Sequence, residues 1–211
     1  MLRTPALLAL SLLAVPACAA DLSLAVTGGT LGVGPEVGLR ISDTFGLRGN
    51  ATFLSVSHHF GSSDLDYDGR LKLRSGGAML DLFPFGGGFR LSAGGRYNGN
   101  RARVVATPTG NASVGGQTFT PAQIGTLTGN GKVKTLAPTA TLGWGGKPGK
   151  GFLFGFEAGA LFQGRARVSD FTSSTGLIPQ PRIDAERLDI QHDVDKFKVY
   201  PLVQVALGWR F

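Results

Sequence analysis

The sequence Val199–Phe211, VYPLVQVALGWRF, alternates between two kinds of residue along almost its whole length. A period of two is that of a β-strand, in which successive side chains point to opposite faces of a sheet. One face of this strand is apolar, and the other is small or polar. The apolar face consists of Val199, Val203, Val205, Leu207, Trp209 and Phe211, and the other face carries Tyr200, Gln204, Ala206, Gly208 and Arg210.

The segment Phe152–Val168 repeats this pattern, with apolar side chains on one face and Glu157, Gln163 and Arg165 on the other. In a soluble protein the phenylalanine face would be the core, whereas in a membrane barrel it contacts lipid and the charges fill the interior. Such segments run for about 10 to 16 residues, which is long for soluble strands and favours the membrane. The terminal Phe211 also resembles the signal read by the machinery that inserts outer-membrane barrels, an expected partner.

The N-terminus predicts export. Arg3 precedes the apolar run Ala6–Val15, and small residues follow, so residues 1–20 are expected to be a cleaved signal peptide. The mature chain then begins at Ala20 or Asp21. The run is too short to span a bilayer as a helix. Cys18 offers an alternative, a lipid-attachment motif over residues 15–18. Pro16 fits that motif poorly.

Connections of two lengths alternate along the chain. Short ones fall at 42–44, 84–88 and 146–151, and long polar ones at 58–67, 107–129 and 169–195. Outer-membrane barrels keep short turns on the periplasmic side, long loops outside and an even strand number. We therefore predict an all-β fold over residues 21–211, an eight-stranded antiparallel transmembrane β-barrel in up-and-down order. The strands are expected at Leu22–Thr27, Val33–Ile41, Phe45–Ser57, Leu71–Phe83, Phe89–Asn100, Leu136–Gly145, Phe152–Val168 and Val199–Phe211.

The net charge and the distribution of basic residues indicate which partners to expect. The net charge is +7 and 33 of the 211 residues are glycine, without a collagen period. Because the basic residues are spread among strands of an exported chain, nucleic acid is not an expected partner. Outer-membrane lipids and lipopolysaccharide are expected partners. The protein is expected to be a monomer. Four cations would break the apolar face and are expected beyond the hydrocarbon, where strands protrude: Lys72, Arg74, Lys132 and Lys134.

Eight short stretches, which together span nearly the whole mature chain, carry a family resemblance: Gly29–Gly34, Asp66–Gly69, Asp81–Phe85, Leu91–Asn98, Ala137–Pro138, Gly155–Gly159, Phe162–Gly164 and Tyr200–Pro201. In their order and spacing they resemble small outer-membrane barrels related to the carbapenem-associated outer-membrane protein, a family also described as channels for ornithine or basic amino acids. This resemblance implies an eight-stranded barrel in the outer membrane. Arg96 and Leu142–Trp144 depart from the family pattern, so a shared solute is not implied.

The inward-facing charges support two hypotheses. An eight-stranded barrel is only wide enough for side chains to fill, so buried charges would pair and form a plug. Alternatively, they line a narrow path selective for small charged solutes. The protein is then either a narrow channel or a closed structural or adhesive barrel that acts through its extracellular loops. The residues are Glu36, Arg40, Arg48, Asp81, Arg90, Arg96, Glu157, Arg165 and Arg210, with Trp144, Trp209 and Phe211 as an aromatic girdle and assembly signal.

Catalysis and metal binding receive weaker support. Ser57 and His59 share one face of a strand, and such a pair at a membrane edge could hydrolyse acyl chains, but the sequence places no carboxylate beside the histidine. The acidic residues around His192 match no calcium-loop spacing. We predict a non-enzymatic protein without cofactor or metal.

Overall fold

The computed structural model describes residues 21–61, 65–146 and 148–211, and the predicted signal peptide lies outside them. The elements, in chain order, are β1 Asp21–Gly29, β2 Gly32–Arg40, β3 Phe45–Gly61, β4 Leu65–Leu82, β5 Phe89–Asn98, β6 Arg101–Pro108, β7 Ala112–Val114, β8 Gln117–Phe119, α1 Pro121–Ile124, β9 Leu127–Lys132, β10 Leu136–Trp144, β11 Gly151–Leu161, β12 Arg167–Ser173, α2 Gln180–Val194 and β13 Tyr200–Arg210.

Eight of these strands close into an antiparallel ring. Its order is β1-β2-β3-β4-β5-β10-β11-β13, and β13 pairs back with β1. The predicted eight-stranded barrel is confirmed, including the first hairpin, whose strands β1 and β2 pair from Asp21↔Arg40 to Gly29↔Gly32. The β2–β3, β4–β5 and β10–β11 connections lie at one end of the ring, together with the start of β1 and the end of β13. We call this end the turn end. The opposite end is the loop end.

Alternation sorts side chains between the two surfaces of the ring. On β13, Val203, Val205 and Leu207 are exposed on the outer surface, while Gln204 and Ala206 are buried inside. The outer surface is therefore apolar and the interior polar, the reverse of a soluble β-sandwich. Leucine, valine and phenylalanine cover the outside of the other ring strands in the same way, among them Leu24, Leu47, Leu80, Leu91, Leu142 and Phe154.

Glycine allows the ring to curve tightly. A Cβ atom on Gly34 would overlap the backbone carbonyl of Ala51 on β3, and one on Gly208 would overlap that of Leu24 on β1. Glycine at these positions lets neighbouring strands approach more closely than any other residue permits.

A second unit stands on the loop end. The β3–β4 hairpin continues beyond the ring to Gly61↔Asp66, and β6, β9 and β12 add to the outer half of β4. The β7–β8 hairpin and both helices accompany this sheet, with a small core of their own that includes Val114, Phe119 and Ile183. We call β6–β9, β12, the two helices and the outer halves of β3 and β4 the loop domain.

The loop domain corrects the predicted connections. Residues 58–67 are mostly strand, and 107–129 and 169–195 contain hairpin, strand and helix rather than only polar loop. The predicted strand Phe152–Val168 is two strands, because β11 ends at Leu161 and Gly164 takes a positive φ of 68° that interrupts the alternation. No helix within the described residues is long and apolar enough to cross a membrane.

Candidate functional site

Arg48 is the centre of the charged interior. Its guanidinium lies 3.2 Å from Glu36 (Nη1 to Oε2), 3.1 Å from Asp81 (Nε to Oδ2) and 2.7 Å from Glu157 (Nη2 to Oε2). These three carboxylates come from β2, β4 and β11, so one side chain on β3 joins strands on opposite sides of the ring. All four side chains are buried. Buried charges in a protein need this degree of pairing.

Neutral side chains donate further hydrogen bonds to the same carboxylates. Ser92 donates a hydrogen bond to Asp81 Oδ1 at 2.5 Å, Asn50 donates to Glu36 Oε2 at 3.1 Å, and Thr141 donates to Glu157 Oε2 at 3.3 Å. Hydrogen bonds to an ionised acceptor are about twice as strong as neutral ones. The cluster is therefore a connected network across the interior rather than a set of separate pairs.

Arg90 and Arg96 flank this network. Arg90 Nη2 lies 3.5 Å from Glu157 Oε2. Arg96 is only 1% exposed; it donates to Asn50 Oδ1 at 2.7 Å and to Ser75 Oγ at 2.9 Å. Three arginines thus face three carboxylates in the middle of the barrel.

Two further arginines hold the turn end. Arg40 donates to the backbone carbonyls of Gly86 and Gly87 at 2.6 and 3.0 Å and lies over the ring of Phe83, 4.1 Å from its centroid. Arg210 donates to the carbonyl of Gly145 at 2.8 Å. Both side chains therefore tie the short turns to the barrel wall.

An apolar lid seals the loop end of the interior. Leu31, Ala137, Leu161 and Leu202 pack together there, each at most 1% exposed. The β1–β2 turn brings Leu31 over the barrel because Thr30 is bound to the neighbouring strand β13. Tyr200 Oη donates a hydrogen bond to the Thr30 carbonyl at 2.7 Å, and the Thr30 hydroxyl donates to the carbonyl of Pro201 at 3.1 Å. Sequence reasoning missed this lid, because nothing in a glycine-rich turn marks which side chain folds inward.

The middle of the interior is full, and a space of about 30 Å³ remains toward the turn end, beside Arg40 and Asp81. The space bounded by Glu36, Arg48, Glu157 and Gln204 has no room for a water molecule. An eight-stranded ring leaves space only for its own side chains. The geometry therefore closes the interior twice in series, by the charged network and by the apolar lid.

One of the predicted interior residues lies elsewhere. The Arg165 side chain is 67% exposed and lies 4.0 Å from Asp195. It follows the end of β11 and the turn at Gly164, so the strand alternation that placed it inside no longer applies. The other eight charged residues are buried. Trp144, Trp209 and Phe211 are exposed at the turn end, where Trp209 pairs with Phe152; their role in assembly stays a prediction.

The loop domain encloses a cavity of about 340 Å³. It lies between the inner face of the sheet and one side of α2, which contributes Glu186, Ile190 and Val194. Small residues on the sheet, including Ala102 and Gly131, leave this space open. The other apolar lining residues are Leu65, Tyr67, Val104, Ala106, Ala112, Leu127, Val168 and Phe171.

His59 has a partner that the sequence did not reveal. Its Nδ1 lies 2.9 Å from Asp68 Oδ1, across the β3–β4 hairpin of the loop domain. The hydrogen bond to this carboxylate, with its negative charge, raises the pKa of His59 above its ordinary value. Among the described residues, His59 forms this bond to Asp68 and no hydrogen bond to Ser57. No group of three or more described side chains is arranged to hold a metal ion.

Comparison with known proteins identifies the fold. Neither a protein-family model nor a curated protein sequence matches the chain. The crystal structure of Acinetobacter baumannii CarO2 superimposes with a TM-score of 0.63 at 20% identity, covering 90% of this chain and 98% of that one. The crystal structure of Acinetobacter baumannii CarO gives a TM-score of 0.60 at 19% identity over 90% and 97%. The chain therefore has a CarO-like fold, as the sequence resemblance implied.

Proposed function

We propose that the protein is an outer-membrane β-barrel with a closed interior, which acts through its loop domain rather than by conducting solutes. The single observation that carries this proposal is the filled interior, in which Arg48 bridges three carboxylates beneath the Leu31 lid. The channel hypothesis would need a continuous polar path, and the space between Arg48, Glu157 and Gln204 does not admit water.

The outer surface supports the membrane location. A closed ring leaves no strand edge, which is a requirement for crossing hydrocarbon. An apolar surface that extends around a whole ring is far larger than a soluble monomer exposes. The outward-facing Leu82 and Lys72 are ten residues apart on β4. That separation is about 33 Å along a strand, or about 25 Å along the axis of a tilted barrel, the usual height of an apolar band.

Planar-bilayer recording of the refolded mature chain tests closure. We expect no stepwise current from protein whose insertion is confirmed by protease protection and whose fold is confirmed by heat-modifiable migration. A channel-forming barrel of known conductance, inserted in the same membrane, serves as the positive control. Reproducible single-channel steps from the folded protein would contradict the proposal.

The cavity of the loop domain favours a second function, the binding of a small apolar molecule. Its volume of about 340 Å³ falls at the lower end of the usual range for ligand pockets, and most of its lining is hydrophobic. The carboxylate of Glu186 lies at its border and already accepts the backbone N–H of Gly115 at 2.9 Å. A neutral, largely apolar ligand therefore fits this site better than an anion.

Binding of a fluorescent apolar dye measures this second function. Val104 faces the cavity, whereas Val105 on the same strand faces away from it. We expect Val104→Trp to fill the cavity and weaken dye binding about tenfold or more, the equivalent of about 1.4 kcal/mol. The matched variant Val105→Trp should bind as the unmodified protein does. Equal loss in both variants, or in neither, would show that the dye binds elsewhere.

A further inference from the structure

Four cations lie side by side across the sheet of the loop domain. Lys72 on β4 pairs with Arg101 on β6, Arg101 with Lys132 on β9, and Lys132 with Arg167 on β12. Residues directly opposite each other share a face of the sheet, so the four form one line, which we call the basic row. Neighbouring strands are about 4.8 Å apart, and the row therefore spans about 15 Å.

The basic row continues the outer surface of the barrel. Along β4 the alternation that points Leu80 outward also points Arg74 and Lys72 outward, and Lys72 is exposed. The row thus lies on the side of the wall that faces lipid lower down, immediately above the apolar band. In an outer membrane oriented with its loops outside, this is the level of the lipid headgroups. The sequence pattern predicts Lys72 and Lys132 beyond the hydrocarbon, but it does not predict that the two lie in one row with Arg101 and Arg167.

The cations of the basic row have no acidic partner in the described part of the chain. None of the four forms an ion pair or a side-chain hydrogen bond there. Like charges directly opposite one another destabilise a sheet. Arg70 and Arg103 form a second opposed pair one step further from the barrel. The fold thus concentrates positive charge in one place without neutralising it.

Protection of a sheet edge does not account for this pattern. Lysine and arginine on an edge strand prevent unwanted pairing, and β12 is such an edge. Lys72, Arg101 and Lys132, however, lie on strands with a neighbour on both sides. Their charges face away from the cavity side of the sheet, where an outside anion can reach them.

We propose that the basic row binds the phosphate groups of lipid A, the membrane anchor of lipopolysaccharide. Lipid A is the phosphorylated lipid of the outer leaflet, so its phosphates lie at the level of the row. A bound phosphate would relieve the repulsion between opposed cations through charge-assisted hydrogen bonds. This inference rests on the proposed outer-membrane location.

The test uses the refolded mature chain in phosphatidylcholine nanodiscs, titrated with bisphosphorylated lipid A. One variant carries Lys72→Gln, Arg101→Gln, Lys132→Gln and Arg167→Gln. The matched control loses four cations outside the row, through Lys150→Gln, Arg187→Gln, Lys196→Gln and Lys198→Gln. At about 1 kcal/mol for each cation near a membrane surface, the row variant should bind lipid A several hundredfold to about a thousandfold more weakly, and the control should bind as the unmodified protein does.

Three further measurements distinguish a loss of folding from a loss of lipid A binding. In detergent without lipid A, the row variant should unfold at the same temperature as the unmodified protein or higher, because repulsion has been removed. Dephosphorylated lipid A should bind weakly, and inorganic phosphate should not displace lipid A. Equal binding by the row variant, equal loss in the control, or full competition by free phosphate would overturn the inference. Failure of the unmodified chain to insert in bilayers would instead overturn the proposed location.

Discussion

Replacement of Arg48 by leucine is expected to destabilise the barrel by about 3–5 kcal/mol, the cost of removing one partner from a buried ion pair. The substitution leaves Glu36, Asp81 and Glu157 close together and buried. Each carboxylate then loses its main counter-charge while remaining buried. Urea unfolding in lipid vesicles, followed by tryptophan fluorescence, measures the loss.

Two comparison variants identify the cause. Arg165→Leu removes an exposed arginine that lies 4.0 Å from Asp195, and its effect should stay below about 1 kcal/mol. Arg48→Leu combined with neutral amides at Glu36 and Asp81 should recover most of the stability, since Glu157 keeps Arg90 as a counter-charge at 3.5 Å. If Arg48→Leu and Arg165→Leu cost the same, Arg48 is not the centre of the network.

The barrel could be predicted from the sequence because its determinants are local. Alternation along β13 and β11 assigns each side chain to a surface, and the order of short and long connections gives the strand count. Eight of the nine predicted interior charges are buried. Arg165 was misplaced because one glycine with positive φ, Gly164, ends the alternation without changing the polarity of the sequence.

The pairing of these charges could not be predicted in the same way. That Arg48 meets carboxylates from three other strands depends on the stagger of the whole ring, which no single segment encodes. The Leu31 lid depends on the hydrogen bond from Tyr200 to Thr30, two residues that are 170 positions apart. The loop domain was hidden because α2 carries many charged residues and has only Ile183 fully buried, so its sequence resembles a polar loop.

The loop domain and the closed ring share two continuous strands, β3 and β4. The ring fixes the height of the domain relative to the membrane, because β3 and β4 pass from one to the other without a break. The cavity therefore lies on the side of the sheet that continues the inner face of β4, and the basic row lies on the opposite side. A small apolar ligand and a phosphorylated lipid would thus bind to opposite faces of the same sheet.

A barrel emptied of both seals is expected to conduct ions. The combined variant carries alanine at Glu36, Arg48, Asp81 and Glu157 in the network and at Leu161 and Leu202 in the lid. Truncation to alanine is expected to leave a continuous space along the axis, in which four buried charges remain, all of them arginines: Arg40, Arg90, Arg96 and Arg210. A pore lined by arginine favours anions, so the reversal potential in a salt gradient should have the sign of anion selectivity.

The two partial variants decide whether the seals act in series. Alanine in the network alone, or in the lid alone, should leave the protein without measurable current, because the other seal still closes the path. Current from the lid variant alone would mean that the charged network does not block ions. Silence of the folded combined variant would mean that the wall of an eight-stranded ring is itself too narrow, so that closure is a property of strand number rather than of these side chains.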